Sequence, residues 1–204
     1  MKRILVIFIA MISMMIMVPS VSCAQDKATL KEIKKKLKEF KKEGWKIYGS
    51  TSTLETALTN HKKKTNGGGY YEVNGTASVT DSKHKNVLHQ AAQANACASY
   101  AGECRKVIGQ TVSEMALASE EAAEFERFAA TYQTKVEKEI KGELRESFAI
   151  IKEVSANQLD MQVFYTVKDN AALKSLENAA KESEVVRKYI KQISVSLEEH
   201  FKSK

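Results

Sequence analysis

Proline is nearly absent from this sequence of 204 residues, and its single copy, Pro19, lies close to the N-terminus. The rest of the chain therefore has no proline-rich linker and no proline that would interrupt a helix. The apolar run from Ile4 to Val18 covers about 15 residues, which is short of the roughly 20 that a membrane-crossing helix needs. These absences favour one helix-rich domain after a short N-terminal segment.

Recognisable catalytic motifs are also absent. The sequence has no Gly-x-Ser-x-Gly elbow, no His-Glu-x-x-His pair and no phosphate-binding Gly-x-x-x-x-Gly-Lys-Ser/Thr loop. Its four histidines fall at predicted surface positions without metal-ligand spacing, and they are His61, His84, His89 and His200. We therefore predict no catalytic, cofactor-binding or metal site. The alternative hypothesis is a soluble periplasmic, hydrolase-like enzyme whose site is built from loops 61–69 and 81–89.

Cysteine is scarce, with three copies in all. Cys97 and Cys104 are seven residues apart, so on a continuous helix they lie on one face but about 10.5 Å apart along the axis. A disulfide tolerates at most about 7 Å between the α-carbons, and bridging these two would require a helix break at Gly102. We expect both to be small buried side chains.

The first residues have the order of a secretory leader, with Lys2 and Arg3 before the apolar run and small residues after Pro19. We predict a signal peptide over residues 1–22, because Ser20, Val21 and Ser22 lead into Cys23 as in a bacterial lipobox. Cys23 is then a lipidation site. Cleavage after Ala24 by an ordinary signal peptidase is the alternative, and it would leave a chain without lipid.

The positive charge is concentrated in one segment. The formal net charge is +7, yet residues 23–43 alone hold eight lysines against four acidic residues. Apolar residues recur there at steps of three and four, namely Leu30, Ile33, Leu37 and Phe40. This pattern predicts a basic amphipathic helix, either packed on its own domain, which we favour, or lying against anionic lipid. Confinement of the charge to one helix argues against nucleic-acid binding.

Strand and helix patterns alternate along the rest of the chain and predict an α+β fold. Residues 71–80 alternate apolar and polar side chains, and residues 147–155 and 159–167 form a predicted antiparallel hairpin around Ala156 and Asn157. We expect a small antiparallel sheet of about three main strands, plus a short strand near Trp45, within one domain over residues 23–204. Trp45 is expected to pack between the first helix and the sheet.

Three long amphipathic helices are predicted to cover this sheet. The predicted buried face of the first consists of Val87, Ala91, Ala94, Cys97, Ala98, Ala101, Cys104 and Ile108. That of the second, over about 113–144, consists of Ala118, Ala122, Phe125, Ala129, Tyr132, Val136 and Ile140. The last helix, over about 171–201, presents Leu173, Leu176, Val186, Ile190, Ile193 and Leu197.

The strand "YYEVNGTASV", the alanine-spaced helix and the late hairpin together resemble the bacterial envelope lipoproteins of the Lpp-twenty type, over about residues 70–169. Gly75 and Ala77 correspond to the small-residue step of that family, and Ala91, Ala94 and Ala98 to its helix spacing. The family usually has arginine after its alanines, where this chain has "NACASY". The resemblance implies an outer-membrane or periplasmic protein without established enzymatic activity.

These patterns together predict an exported, lipid-anchored, non-catalytic protein of the bacterial cell envelope, at the inner leaflet of the outer membrane or in the periplasm. The expected partners are the membrane, through lipid on Cys23, and an envelope protein or peptidoglycan. An exposed sheet edge would also permit a homo-oligomer.

Overall fold

The computed structural model describes residues 21–80, 84–115, 117–168, 170–181 and 183–202. These residues form six helices and four strands. The helices are α1 (Val21–Lys42), α2 (Leu54–Asn66), α3 (Lys85–Ser113), α4 (Ser119–Glu143), α5 (Ala171–Ala180) and α6 (Glu184–Lys202). The strands are β1 (Lys46–Tyr48), β2 (Tyr70–Val79), β3 (Arg145–Ser155) and β4 (Gln158–Lys168). The α+β class predicted from the sequence is confirmed.

The four strands form one antiparallel sheet in the order β1-β3-β4-β2. Strands β3 and β4 are joined at residues 156–157, as the sequence predicts, and β2 pairs with β4 from Tyr70 to Val79. The three-residue strand β1 adds a short fourth member to the three main strands. Strand β2 is an edge, where the side-chain amide of Asn95 donates a hydrogen bond of 2.7 Å to the carbonyl oxygen of Thr76. This bond occupies one backbone acceptor of the edge.

One face of the sheet packs directly against α3, and α4, α5 and α6 complete the same core around that helix. Its apolar residues alternate along the strands with those of the opposite face, so Val163 and Tyr165 belong to this larger core, while Phe164 belongs to the other. Gly75 lies where α3 crosses β2, because a β-carbon there would overlap the backbone of Ala92. The helix therefore lies directly on the strand.

The buried face of α3 differs from the prediction in its first half. Cys97, Ala101, Cys104 and Ile108 are buried as predicted, but the other four predicted residues, Val87, Ala91, Ala94 and Ala98, are exposed. The buried residues in that half are Leu88, Ala92, Ala96 and Tyr100. Alanines occur on several sides of this helix, so periodicity alone could not decide which of them face the sheet. The close approach to Gly75 selects Ala92 and Ala96.

Helix α4 begins at Ser119, later than predicted, and Ala118 is exposed just before it. The predicted last helix is two helices, since α5 ends at Ala180 and α6 begins at Glu184. The hydroxyl of Ser183 accepts a hydrogen bond of 3.1 Å from the backbone nitrogen of Val186 and so caps the start of α6. This break lets the two helices pack separately on the core.

The opposite face of the sheet packs against α1 and α2. Its core is smaller, with Ile33, Leu37 and Phe40 from α1, Ala57 and Leu58 from α2, and Phe148, Ile150 and Phe164 from the strands. The prediction that the lysine-rich helix packs on its own domain is thus confirmed, although Leu30 remains 48% exposed. Trp45 packs against this cluster as a partly buried residue.

The hydroxyl of Tyr132 joins α4 to α5 through a buried hydrogen bond of 2.7 Å to the carbonyl oxygen of Ala172. Tyr132→Phe removes the donor and keeps the ring, so we expect the free energy of unfolding to fall by about 1 kcal/mol. Urea denaturation measures this loss. Tyr48→Phe is the control, because the Tyr48 hydroxyl has no hydrogen bond within the described residues. Equal effects of the two substitutions would contradict the prediction.

Candidate functional site

A glycine turn connects α2 to β2 at one end of the sheet. Helix α2 starts after Thr53, whose hydroxyl accepts a hydrogen bond of 3.2 Å from the backbone nitrogen of Thr56. After the helix ends, Gly68 and Gly69 have φ angles of +81° and +80°, a conformation that favours glycine. The chain thereby enters β2 at Tyr70, so the end of α2 lies beside the start of β2.

A groove of about 450 Å³ lies at this junction and extends to the end of α6. Its lining combines aromatic rings with polar side chains, namely Tyr70, Tyr71, Phe201, Lys62, Thr65, Asn66, Glu72, Asn74 and Lys202. Lys64 covers one side of Tyr70, with its ammonium 4.3 Å from the ring centre. Polar side chains outnumber the aromatic rings in this lining, so the groove suits a ligand that carries both polar and apolar groups.

Glu72 forms a partly buried ion cluster beside this groove. One of its carboxylate oxygens, Oε2, lies 2.8 Å from Nζ of Lys62 and 3.0 Å from Nε2 of His61. Its other oxygen lies 3.5 Å from Nζ of Lys36 on α1. Lys62 also contacts Glu32 of α1 at 2.9 Å. The cluster therefore connects α1, α2 and β2 by charged contacts.

The cluster shifts the pKa values of Glu72 and Lys62. Burial by itself would raise the pKa of Glu72, but hydrogen bonds from His61 and Lys62 and the positive charges of Lys62 and Lys36 hold it well below its usual range. Burial by itself would lower the pKa of Lys62, but hydrogen bonds to Glu72 and Glu32 outweigh it and raise this pKa. Both groups are therefore charged at neutral pH.

The position of His61 corrects the prediction that all four histidines lie at the surface. Its side chain is fully buried, and its ring packs edge-on against Phe148 and Phe164. The sequence carried a signal for this, since Leu54, Ala57, Leu58 and His61 follow the i, i+3, i+4, i+7 pattern of a buried helix face. Histidine is not counted among apolar residues, so an apolar pattern alone does not include position 61.

The charged side chains of the ion cluster are paired with one another, so none of them is a free reactive group at the groove. The Glu72 carboxylate can only accept hydrogen bonds, so Nε2 of His61 carries the proton. The other ring nitrogen, Nδ1, is buried and has no described hydrogen-bond partner. Lys62 and Glu72 line the groove, but each is engaged by oppositely charged neighbours. The cluster thus supports the groove wall.

A second feature is the outer face of α1. Seven of its lysines are exposed, and at 3.6 residues per turn they fall within an arc of about 120°. They are Lys27, Lys31, Lys34, Lys35, Lys38, Lys41 and Lys42, which we call the lysine face. The acidic residues of the helix from residue 27 onward, Glu32 and Glu39, lie outside this arc. The buried residues Ile33 and Phe40 point to the opposite side.

The other residues singled out from the sequence are distributed over the molecule. Cys23 lies in the first turn of α1, its side chain is outside the described part, and residues 1–20 lie outside it altogether. His89 contacts Glu146 at 2.9 Å, and His200 contacts Glu103 at 3.4 Å. Of the two loops in the enzyme hypothesis, residues 61–66 belong to α2, and residues 81–83 lie outside the described part. None of the described residues 84–89 lines the groove.

The two helical cysteines are free and buried, as expected. Burial, followed by the negative charge of Glu103, raises the pKa of Cys104 to about 12. Burial also raises the pKa of Cys97. Both are therefore protonated thiols at neutral pH, which are poor nucleophiles and poor metal ligands. Among the described residues, no group of three or more His, Cys, Asp and Glu side chains is placed to hold a metal ion.

Comparison with family models, curated proteins and solved structures finds no match for this chain. The resemblance to the Lpp-twenty type of lipoprotein accordingly stays a prediction from the sequence. No helix within the described residues has both the length and the apolar composition needed to cross a membrane.

Proposed function

We propose that this chain is an exported, lipid-anchored and non-catalytic cell-envelope protein that binds an envelope protein or a cell-wall component. The observation that carries the proposal is the leader-like segment that ends in "VPSVSC", whose last three residues begin the packed helix α1. Cys23 precedes the first core residue, Ile33, by ten residues of α1, which correspond to about 15 Å. An acyl anchor at Cys23 would thus hold the domain close to the membrane.

The anchoring mechanism would be hydrophobic. Each buried methylene of an acyl chain contributes about 0.8 kcal/mol, and a single chain gives only reversible binding. Thioether-linked acyl chains on Cys23, together with an acyl group on its amine, would supply the two or more chains that stable anchoring requires. The protein would then remain in the membrane fraction without a membrane-spanning helix.

The groove between α2, β2 and α6 is the proposed partner-binding surface. Tyr70 and Tyr71 are partly buried and offer ring surface, Phe201 lies beneath the groove at 5% exposure, and Thr65 and Asn74 add hydrogen-bonding groups along it. Such a lining suits a peptide segment or a cell-wall fragment that has apolar and polar groups side by side. The charges of Lys62 and Glu72 are already compensated within the protein, so a neutral ligand segment fits better than a highly charged one.

The intact mass of the protein from the membrane fraction of a bacterial host tests the anchor. We expect a chain that starts at Cys23 and carries additional acyl mass, and we expect Cys23→Ala to lose that mass and leave the membrane fraction. Cys97→Ala is the matched control. Cys97 is buried in α3, far from the N-terminus in the sequence, so this variant should keep its acylated N-terminus. A native chain that starts at Gln25 without lipid would refute the anchor and strengthen the soluble-enzyme alternative.

A further inference from the structure

The lysine face of α1 consists of side chains that have no partner of opposite charge within the described residues. None of its seven lysines takes part in an ion pair, a hydrogen bond of the side chain or a ring contact within the described residues. The eighth lysine of the helix, Lys36, instead points inward to Glu72. Lys27 and Lys41 are separated by about 21 Å along the helix, so the face is a long band of unpaired positive charge, with Glu32 and Glu39 at its border.

The packing of α1 decides how this face can be used. Ile33, Leu37 and Phe40 are 3–8% exposed and belong to the core, so the apolar side of the helix is not free to enter a lipid layer. The lysines point away from that core, on the outside of the α1–α2 layer. Binding through α1 would therefore depend on charge at a surface rather than on insertion.

The chemistry of the face selects an extended anionic surface. It has lysine only, without arginine, whose planar fork recognises phosphate in a fixed geometry, and without aromatic side chains that would stack on a ligand. Lysine ammonium groups are compact, hydrated point charges without a fixed binding geometry. They therefore suit a surface on which many anionic groups are spread out and can move. The face starts four residues after Cys23, so a lipid anchor on Cys23 would hold it next to phospholipid headgroups. The choice of phospholipid as the anionic surface therefore rests on the proposed anchor.

We propose that the lysine face binds anionic phospholipid headgroups and lays α1 along the membrane. The α1–α2 layer then faces the lipid, and the layer formed by α3–α6 faces away from it. The anchor would determine how far the domain can move from the membrane, while the lysine face would determine which side of it turns toward the lipid. The two contributions are separable because one depends on acyl chains and the other on charge.

Vesicle sedimentation tests this with a protein that has no acyl chain. A chain that begins at Gln25 keeps every buried residue of the described structure, from Thr29 onward, so its core is complete. We expect it to sediment with vesicles in which a third of the phosphatidylcholine is replaced by phosphatidylglycerol, and not with phosphatidylcholine alone. Binding should weaken steeply as salt rises above about 0.1 M, where the Debye length is about 10 Å.

The decisive variant replaces Lys27, Lys31, Lys34 and Lys38 with glutamine. Each lysine near an anionic surface strengthens binding about fivefold, so we expect the partition constant to fall at least about tenfold. The matched control replaces four exposed lysines outside α1 with glutamine, namely Lys85, Lys106, Lys174 and Lys191. It removes the same total charge and should bind nearly as well as the unmodified chain.

Three outcomes would overturn the proposal. They are equal sedimentation with neutral vesicles, equal losses in both variants, and binding to long-chain polyphosphate without binding to vesicles. The last would identify a soluble polyanion as the ligand. None of them depends on Cys23, so failure here and failure of the anchor are distinguishable.

Discussion

Gly75→Ala is expected to destabilise the protein by about 3 kcal/mol or more. The added β-carbon would overlap the carbonyl oxygen of Ala92 and lie 2.7 Å from the backbone nitrogen of Ala96. Both are backbone atoms of α3, so no rotamer change relieves the contact, and the helix as a whole must move away from β2. Thermal unfolding should show a midpoint about 10 °C lower than that of the unmodified chain.

Gly102→Ala is the matched control for this prediction. Gly102 lies inside α3, and a β-carbon there would meet no atom within 4 Å. Alanine favours the helix by about 0.5–1 kcal/mol over glycine, so this variant should unfold at a slightly higher temperature. If Gly75→Ala unfolded at the same temperature as the unmodified chain, α3 would not lie on β2 as described.

Glu72→Gln is expected to lower the free energy of unfolding by about 2–4 kcal/mol at neutral pH. The carboxylate is the shared partner of Lys62 and His61, and Lys62 is only 9% exposed. An amide cannot neutralise the buried ammonium, which is then left with the more exposed Glu32 as its counter-ion, and it satisfies at most part of the hydrogen bonding. The loss should appear in urea denaturation as a lower midpoint with an unchanged slope.

The pH dependence of this loss follows from the depressed pKa of Glu72. A carboxyl group whose folded pKa lies below its ordinary 4.5 contributes stability that is fully present above that value and is lost as the pH falls toward the folded pKa. The difference in stability between the unmodified chain and Glu72→Gln should thus be constant near neutral pH and shrink below about pH 4.5. A difference that grows on acidification would contradict the described ion cluster.

Glu121→Gln provides the matched control. Glu121 contacts Lys188 at 3.0 Å, and this hydrogen bond lowers its pKa as well, but the pair lies at the surface. Water solvates and screens both partners, so breaking the contact should leave the urea midpoint unchanged. Glu72→Gln and Glu121→Gln break ion pairs of similar length, one partly buried and one at the surface. The difference between their urea midpoints therefore measures the effect of burial on the ion pair.

Local patterns were sufficient for most elements of this fold. Alternation of apolar and polar side chains identified β2 and β4, and the short Ala156-Asn157 connection identified the hairpin. Helix α4 showed a single apolar stripe, so five of its six buried residues between Phe125 and Ile140 were predicted, and only Phe128 was missing. These elements were predictable because each has one face that is clearly more apolar than the other.

The candidate site was less predictable because it depends on pairs that are distant in the sequence. In the sequence, Glu72 is one more polar residue on the solvent-exposed face of a strand, and His61 is a histidine followed by three lysines. Only the packing of α2 over the sheet brings them within 3.0 Å of each other. A buried polar contact of this kind leaves no periodic signal in either segment.

By itself, the sequence determined the α+β class, the hairpin, the basic helix and the leader-like segment that ends at Cys23, because local periodicity, turn chemistry and charge are properties of neighbouring residues. Tertiary structure alone decided which alanines of α3 face the sheet. Gly75 has no β-carbon, so the backbone of α3 at Ala92 and Ala96 can lie directly against β2. The tertiary structure also decided that His61 is buried beside Glu72. Finally, it turned the apolar side of α1 inward and its lysines outward, because burying three apolar side chains favours contact with the sheet, whereas hydrated ammonium groups remain in water.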